Sequence, residues 1–165
     1  MRTTSNLFPL FTGLLVALLI SCTGGETYSR FHHIENGKWY RDSSLLFTID
    51  SLSPPLGTDY DVTVELTTNH GYPYRNLLLE IDQNLTDTIV HTDTLRLLLA
   101  DEHGRWLGSG AGGLNQLSFP YRSFRSASRD SLSRYTLTIR QTMEDNPLKG
   151  VEKVGIRLVE TNKNN

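Results

Sequence analysis

The chain has 165 residues, with 16 basic and 18 acidic side chains, a formal charge of −2 and a single cysteine. Nothing in that balance points to nucleic acid or to an anionic membrane surface as a partner. One cysteine excludes an intrachain disulfide and a structural zinc site built from thiolates.

Met1 to Asn6 is a short polar start carrying one positive charge, Arg2. Leu7 to Ile20 is apolar except for Pro9, Thr12 and Gly13. Its fourteen residues make a helix of about 21 Å, short of the roughly 30 Å hydrocarbon core of a bilayer. That length suits the core of a signal peptide better than a permanent span. The run ends in Leu19-Ile20-Ser21-Cys22, which resembles the lipobox of bacterial lipoproteins. There a small residue precedes a cysteine that is acylated and then made N-terminal by cleavage. The resemblance implies a cleaved signal at 1–21, lipid on Cys22 and a tether over 22–26. The competing reading is an ordinary secretory signal with an incidental cysteine, but the one cysteine of the chain stands where the motif needs it. Cleavage leaves 144 residues with 15 basic and 18 acidic groups, a charge of −3 and one ordinary domain, 27–165. Several acyl chains, at about 0.8 kcal/mol per buried methylene, would hold it firmly on a membrane.

Strand-like runs separated by turn residues follow. Leu45 to Ile49 is a short strand, ended by Ser53-Pro54-Pro55-Leu56-Gly57. Asp61 to Thr67 alternates with period two, the mark of a half-buried strand. Asn76 to Ile81 is more continuously apolar, as in a strand covered on both faces. Asp93 to Ala100 puts Leu95, Leu97 and Leu99 on one face, and Gly104 to Gly108 is brief and glycine-bounded. Leu114 to Phe119 reads as an edge strand ending at Pro120. Ser123 to Ser133, rich in Ser and Arg, reads as a loop. Tyr135 to Arg140 alternates cleanly, and Val154 to Val159 closes the domain. No segment has a sustained helical stripe, and there is no internal repeat. About eight short strands predict an all-β fold: a two-sheet antiparallel β-sandwich, jelly-roll-like.

Catalytic groupings are scarce. His32 and His33 are adjacent and face opposite ways on a strand, so they cannot easily chelate one metal. His91 and Asp93 share a face but lack a third ligand of suitable type. Asp101-Glu102-His103-Gly104 mixes acid and base, yet its position marks a solvated hairpin turn. Gly108-Ser109-Gly110 has no following helix to make a nucleophile elbow or a phosphate cradle. No phosphate loop, dinucleotide fingerprint or zinc-spaced histidine pair appears, and no cofactor is expected. Carboxylate pairs for glycoside hydrolysis can come from distant strands, so a hydrolase stays open as a third reading. Tyr72, Tyr74 and Arg75 precede the most apolar strand, and with Trp106 they form the candidate contact set for a sugar or a protein partner. The competing reading places Trp39 and Trp106 in the core.

Several segments resemble the GldH family of gliding-motility lipoproteins of Bacteroidota. They are Tyr72-Pro73-Tyr74-Arg75-Asn76-Leu77, Asp93-Thr94-Leu95 leading to Leu98-Leu99-Ala100-Asp101, and Gly104 to Gly110. Tyr135 to Met143 and Leu148 to Ile156 follow in order, so the match spans nearly the whole chain. The chain departs from the pattern at Glu144 and Asp145, where a basic residue is expected. The resemblance implies a non-enzymatic envelope lipoprotein, a component of the gliding machinery tied to type IX secretion. It also implies other envelope proteins as partners and a membrane anchorage, with the outer membrane preferred over the inner. It carries over no catalytic residue. The alternative is a carbohydrate-binding sandwich lipoprotein that uses Tyr72, Tyr74 and Trp106 as a stacking platform. Asp50-Ser51-Leu52, Asp87-Thr88-Ile89, Asp93-Thr94-Leu95 and Asp130-Ser131-Leu132 resemble the Asp-Ser/Thr-apolar acceptor for O-glycosylation in Bacteroidota. Of these, Ser51 and Ser131 fall in expected loops that could accommodate a glycan.

Overall fold

Alternation along the chain decides the layers of the computed structural model, which describes residues 26–49, 57–126 and 134–161. Its strands are β1 (Glu26–His33), β2 (Lys38–Trp39), β3 (Leu45–Ile49), β4 (Asp59–Asn69), β5 (Asn76–Gln83) and β6 (His91–Leu98). β7 (Leu114–Arg125), β8 (Tyr135–Gln141), β9 (Leu148–Lys149) and β10 (Val151–Glu160) complete them. A single 3-10 turn, Glu35–Gly37, is the one helical element among the described residues. No helix there is long and apolar enough to cross a membrane.

One sheet has the order β1-β10-β4-β7 and the other β3-β8-β5-β6; β2 and β9 form a two-stranded ribbon. Every ladder is antiparallel. Leaving out the ribbon and numbering the eight long strands afresh, the sheets read 1-8-3-6 and 2-7-4-5. First thus pairs with last, second with seventh, third with sixth and fourth with fifth: one long antiparallel ribbon rolled into two sheets. That is a jelly roll.

The inner faces interdigitate. Val62, Val64, Ile156 and Leu158 of one sheet, with Leu79, Ile81, Leu137 and Ile139 of the other, are at most 1% exposed. Each such side chain contributes roughly 1.5–3 kcal/mol by leaving water. Trp39 and Phe47 are equally buried.

The two long edges of the sandwich are closed by side chains, which protects them from pairing with other chains. On one edge the Tyr28 hydroxyl donates to the Thr48 carbonyl at 3.1 Å, and His32 Nε2 donates to the Leu46 carbonyl at 2.9 Å. The His32 ring also stands edge-on to Phe47 at 4.7 Å. These bonds cap β3, the edge strand opposite β1. On the other edge Asp93 of β6 accepts from Tyr121 at 2.6 Å and from Arg122 at 2.9 Å. A bulge makes this possible: Val62 pairs with Arg122 but Thr63 with Pro120, leaving Tyr121 as the extra residue. Two consecutive side chains, which a regular strand would send to opposite faces, then reach one carboxylate.

Several expectations need correction. β7 does not stop at Pro120; it runs on to Arg125, because the proline sits on an edge strand beside the bulge. β5 is not covered on both faces: Leu77, Leu79 and Ile81 are buried, while Leu78, Glu80 and Asp82 are half-buried. The outer side carries charge instead, with Arg140 bridging Glu80 and Asp82. β1, β2 and β9 had no clear signature, and β1 begins at Glu26, the last residue of the stretch read as tether. Trp39 fills the core, whereas Trp106 is half-buried and packs against it.

Candidate functional site

At one end of the sandwich the turn after β2, the β4–β5 and β6–β7 connections and the segment between β8 and β9 lie together. The β4–β5 connection begins with a bend: the Asn69 side chain accepts from the Gly71 N–H at 2.7 Å, and the Asn69 carbonyl from the Tyr72 N–H at 3.1 Å. This turns Tyr72 inward, where it is 4% exposed and donates its hydroxyl to the Asn76 carbonyl at 2.8 Å. Burial, with some repulsion from Tyr74, keeps that hydroxyl protonated far above the usual tyrosine range.

Tyr74 and Trp106 meet the Tyr72 ring nearly edge-on, with centroids at 6.1 and 6.3 Å and interplanar angles of 77° and 61°. Trp106 is placed by a bridge to Ala100, and the hairpin between them closes on Asp101. The Asp101 carboxylate accepts from the backbone of His103 and Arg105 and from the Arg105 guanidinium, which pull it below the ordinary carboxylate range. The acid–base cluster there is a turn lock. Arg75 is exposed, and its carbonyl accepts from Leu99 at 2.7 Å and Ala100 at 3.2 Å.

The acidic Glu144–Asp145 pair joins this cluster, a contact the sequence did not reveal. Buried Gln141 shapes the segment: its side chain accepts from Met143 N–H at 2.8 Å and donates to the Asp145 carbonyl at 3.2 Å. The Arg41 guanidinium, reaching across about a hundred residues of sequence, donates to the carbonyls of Met143 (2.7 Å) and Glu144 (2.8 Å). The Tyr74 hydroxyl donates to the Asp145 carboxylate, which raises its pKa, with smaller contributions from desolvation and from the charges of Asp145 and Glu144. Arg41 and Gln141 were missed because their partners are backbone carbonyls distant in sequence; a lone Arg and Gln carry no motif.

Of the sequence-predicted residues, Tyr72, Tyr74 and Trp106 are brought together and Arg75 lies beside them. They do not form a stacking platform. Tyr72 is packed inside, Trp106 is half-buried against the core, and the rings stand edge to face instead of in a row. The carbohydrate-binding alternative is not favoured. Cys22, Ser51 and Ser131 lie outside the described residues. His91 and Asp93 do not converge on one point: His91 faces Asp87 at 2.9 Å and Asp93 faces β7. Among the described residues no three His, Cys, Asp or Glu side chains gather to hold a metal ion.

Comparison with known proteins agrees with the resemblance. The profile described as GldH lipoprotein matches residues 26–158. Gliding motility lipoprotein GldH of Flavobacterium johnsoniae is 23% identical over 155 residues, covering 88% of this chain and 91% of that protein. Among solved structures, a chain of infectious bursal disease virus, Gx strain, aligns at 12% identity and a TM-score of 0.29 over 85% of this chain. The present chain spans about a third (33%) of that one, and so distant a likeness carries no argument. The family match runs across every strand from β1 to most of β10. The chain belongs to the GldH lipoprotein family and is a membrane-anchored protein of the cell envelope.

Proposed function

We propose that this protein is a non-enzymatic component of the gliding machinery associated with type IX secretion, acylated at Cys22 and exposing the Tyr74–Trp106–Asp145 end of its jelly roll to another envelope protein. The observation that carries the reading is the near full-length correspondence with a relative named for gliding motility, 88% of one chain on 91% of the other. The loop end supports it. Half-buried aromatics, an exposed Arg75 and an acidic segment fixed by Arg41 give a rigid, mixed surface suited to a protein partner. The outer membrane is the preferred location.

Deleting the gene in a gliding host should abolish or sharply reduce surface spreading, and the wild-type gene should restore it. Cys22→Ala should restore neither spreading nor labelling by a fatty-acid analogue, because no other thiol can take the first acyl chain. Normal spreading in the deletion strain would defeat the motility assignment. Equal labelling of wild type and Cys22→Ala would defeat acylation at Cys22.

A further inference from the structure

The other end of the sandwich is the one at which the chain enters the fold. Glu26 starts β1 there, paired with Val159, and Asp59 starts β4 opposite Arg125. The β5–β6 hairpin turns at the same end, beyond the Gln83–His91 pair. On its returning arm, just before β6, stand Ile89 and Val90, 66% and 61% exposed, the highest values for large hydrophobic side chains among the described residues.

This hairpin is built to hold them outward. Leu85, 1% exposed, anchors its base, and the Leu85 N–H donates to the Gln83 side chain at 2.8 Å. Asn84 binds across to β8, accepting from Thr136 N–H at 2.8 Å and donating to the Arg134 carbonyl at 2.9 Å. Asp87 then accepts from the Ile89 N–H at 2.8 Å and from His91 Nε2 at 2.9 Å, fixing the turn that carries the two aliphatic groups. With its base packed and its turn hydrogen-bonded, the hairpin still leaves two β-branched side chains in water. Held outward in this way, the two side chains are available to an apolar surface that comes within reach.

The length of chain before the fold identifies the occupant. From Cys22 to Glu26 there are four residue steps, a reach of at most about 14 Å when fully extended. A lipid on Cys22 therefore keeps this end of the domain beside the bilayer. The two sheets run β1 to β7 and β3 to β6, so the hairpin lies at the corner diagonal to β1, roughly 18 Å across the end. Among the described residues at this end Asp59 pairs with Arg125 and Asp87 accepts from His91, while Ile89 and Val90 offer apolar contact.

We propose that Ile89 and Val90 are a second membrane contact, inserting into the interface of the bilayer that holds Cys22. The proposal rests on Cys22 being the lipid anchor. Two contacts at opposite corners set the domain upright and turn the Tyr74–Trp106 end away from the membrane.

The test uses lipidated protein reconstituted in phosphatidylethanolamine–phosphatidylglycerol vesicles whose acyl chains carry bromine, a contact quencher of tryptophan. Trp39 is buried and Trp106 lies at the far end, so wild type should be little affected. The emission added by Ile89→Trp should fall by about half or more, since interfacial insertion reaches about 5–10 Å into the headgroup–acyl boundary. Leu107→Trp, an exposed position at the far end, should not respond. Quenching should persist in 1 M salt, because the contact is apolar. Position 89 as unquenched as position 107 overturns the proposal, and so does quenching that requires added envelope protein. Intact mass separates this from failure of the anchor. If the purified chain bears no acyl group, the Cys22 reading falls by itself; a maleimide-lipid coupled to Cys22 then repeats the quenching measurement with the same two outcomes.

Discussion

Gly150 is a backbone position on which the loop end depends. Its φ is +84°, and a Cβ there would lie 2.3 Å from Tyr72 N and 2.5 Å from Tyr72 Cα. Its N–H donates to the Gly37 carbonyl at 2.8 Å and its carbonyl accepts from Asn69 N–H at 2.9 Å, so three segments meet at it. Gly150→Ala should destabilise the domain by about 2–5 kcal/mol, the sum of left-handed strain and overpacking against backbone that cannot yield. Chemical denaturation would measure it, and an unchanged midpoint would show that Tyr72 can move aside. A second prediction concerns single side chains. If the Asp-Ser-Leu motifs are O-glycosylation acceptors at Ser51 or Ser131, intact mass of protein from its native host should exceed that of the lipidated polypeptide and fall on substituting the modified serine. A bare mass unchanged by either substitution would rule it out.

Elements repeat the same physics at larger scale. β3, β4 and β8 were legible because alternation buries one face: Leu45, Phe47 and Ile49 on β3, and Tyr135, Leu137 and Ile139 on β8, all lie inside. β7 was cut short because a proline ends most ladders, and the bulge that tolerates it has no local signal. That bulge makes the edge closure at Asp93. Burial pushes the Asp93 carboxyl up, but Tyr121, Arg122 and Gln83 together outweigh it and hold it below its ordinary value. A depressed folded pKa stabilises wherever the carboxylate is ionised, above the unfolded value of about 3.9, and this is lost as pH falls through the folded value. Wild type should therefore lose stability below about pH 4. Asp93→Asn should start lower at neutral pH and show a shallower acid slope. Parallel slopes in thermal melts between pH 5 and 2.5 would remove Asp93 from the acid response.

At the scale of the molecule, the jelly roll separates the end where β1 begins from a loop end, and the prediction is spatial. Crosslinkers placed at Arg75 or Glu144 in cells should capture an envelope protein that crosslinkers on the exposed outer strand face, at Thr94, do not. Tyr74→Ser should weaken that capture without lowering the melting temperature by more than a few degrees, since the ring is only partly buried. Equal capture from both faces would dissolve the idea of a dedicated end.

What the sequence determined by itself was whatever short-range chemistry can specify. Period-two alternation set the strands and the all-β class. The order of motifs from Tyr72 to Ile156 identified the family. Tertiary structure alone decided which strands pair, because β1 meets β10 and β3 meets β8 across most of the chain, and equivalent alternating strands do not encode their partners. It also decided that Tyr72 is buried while Tyr74 remains partly open, and that Arg41 grips the acidic segment at Glu144. Those outcomes depend on backbone carbonyls and ring packing brought together only when distant turns converge, so no local pattern could announce them.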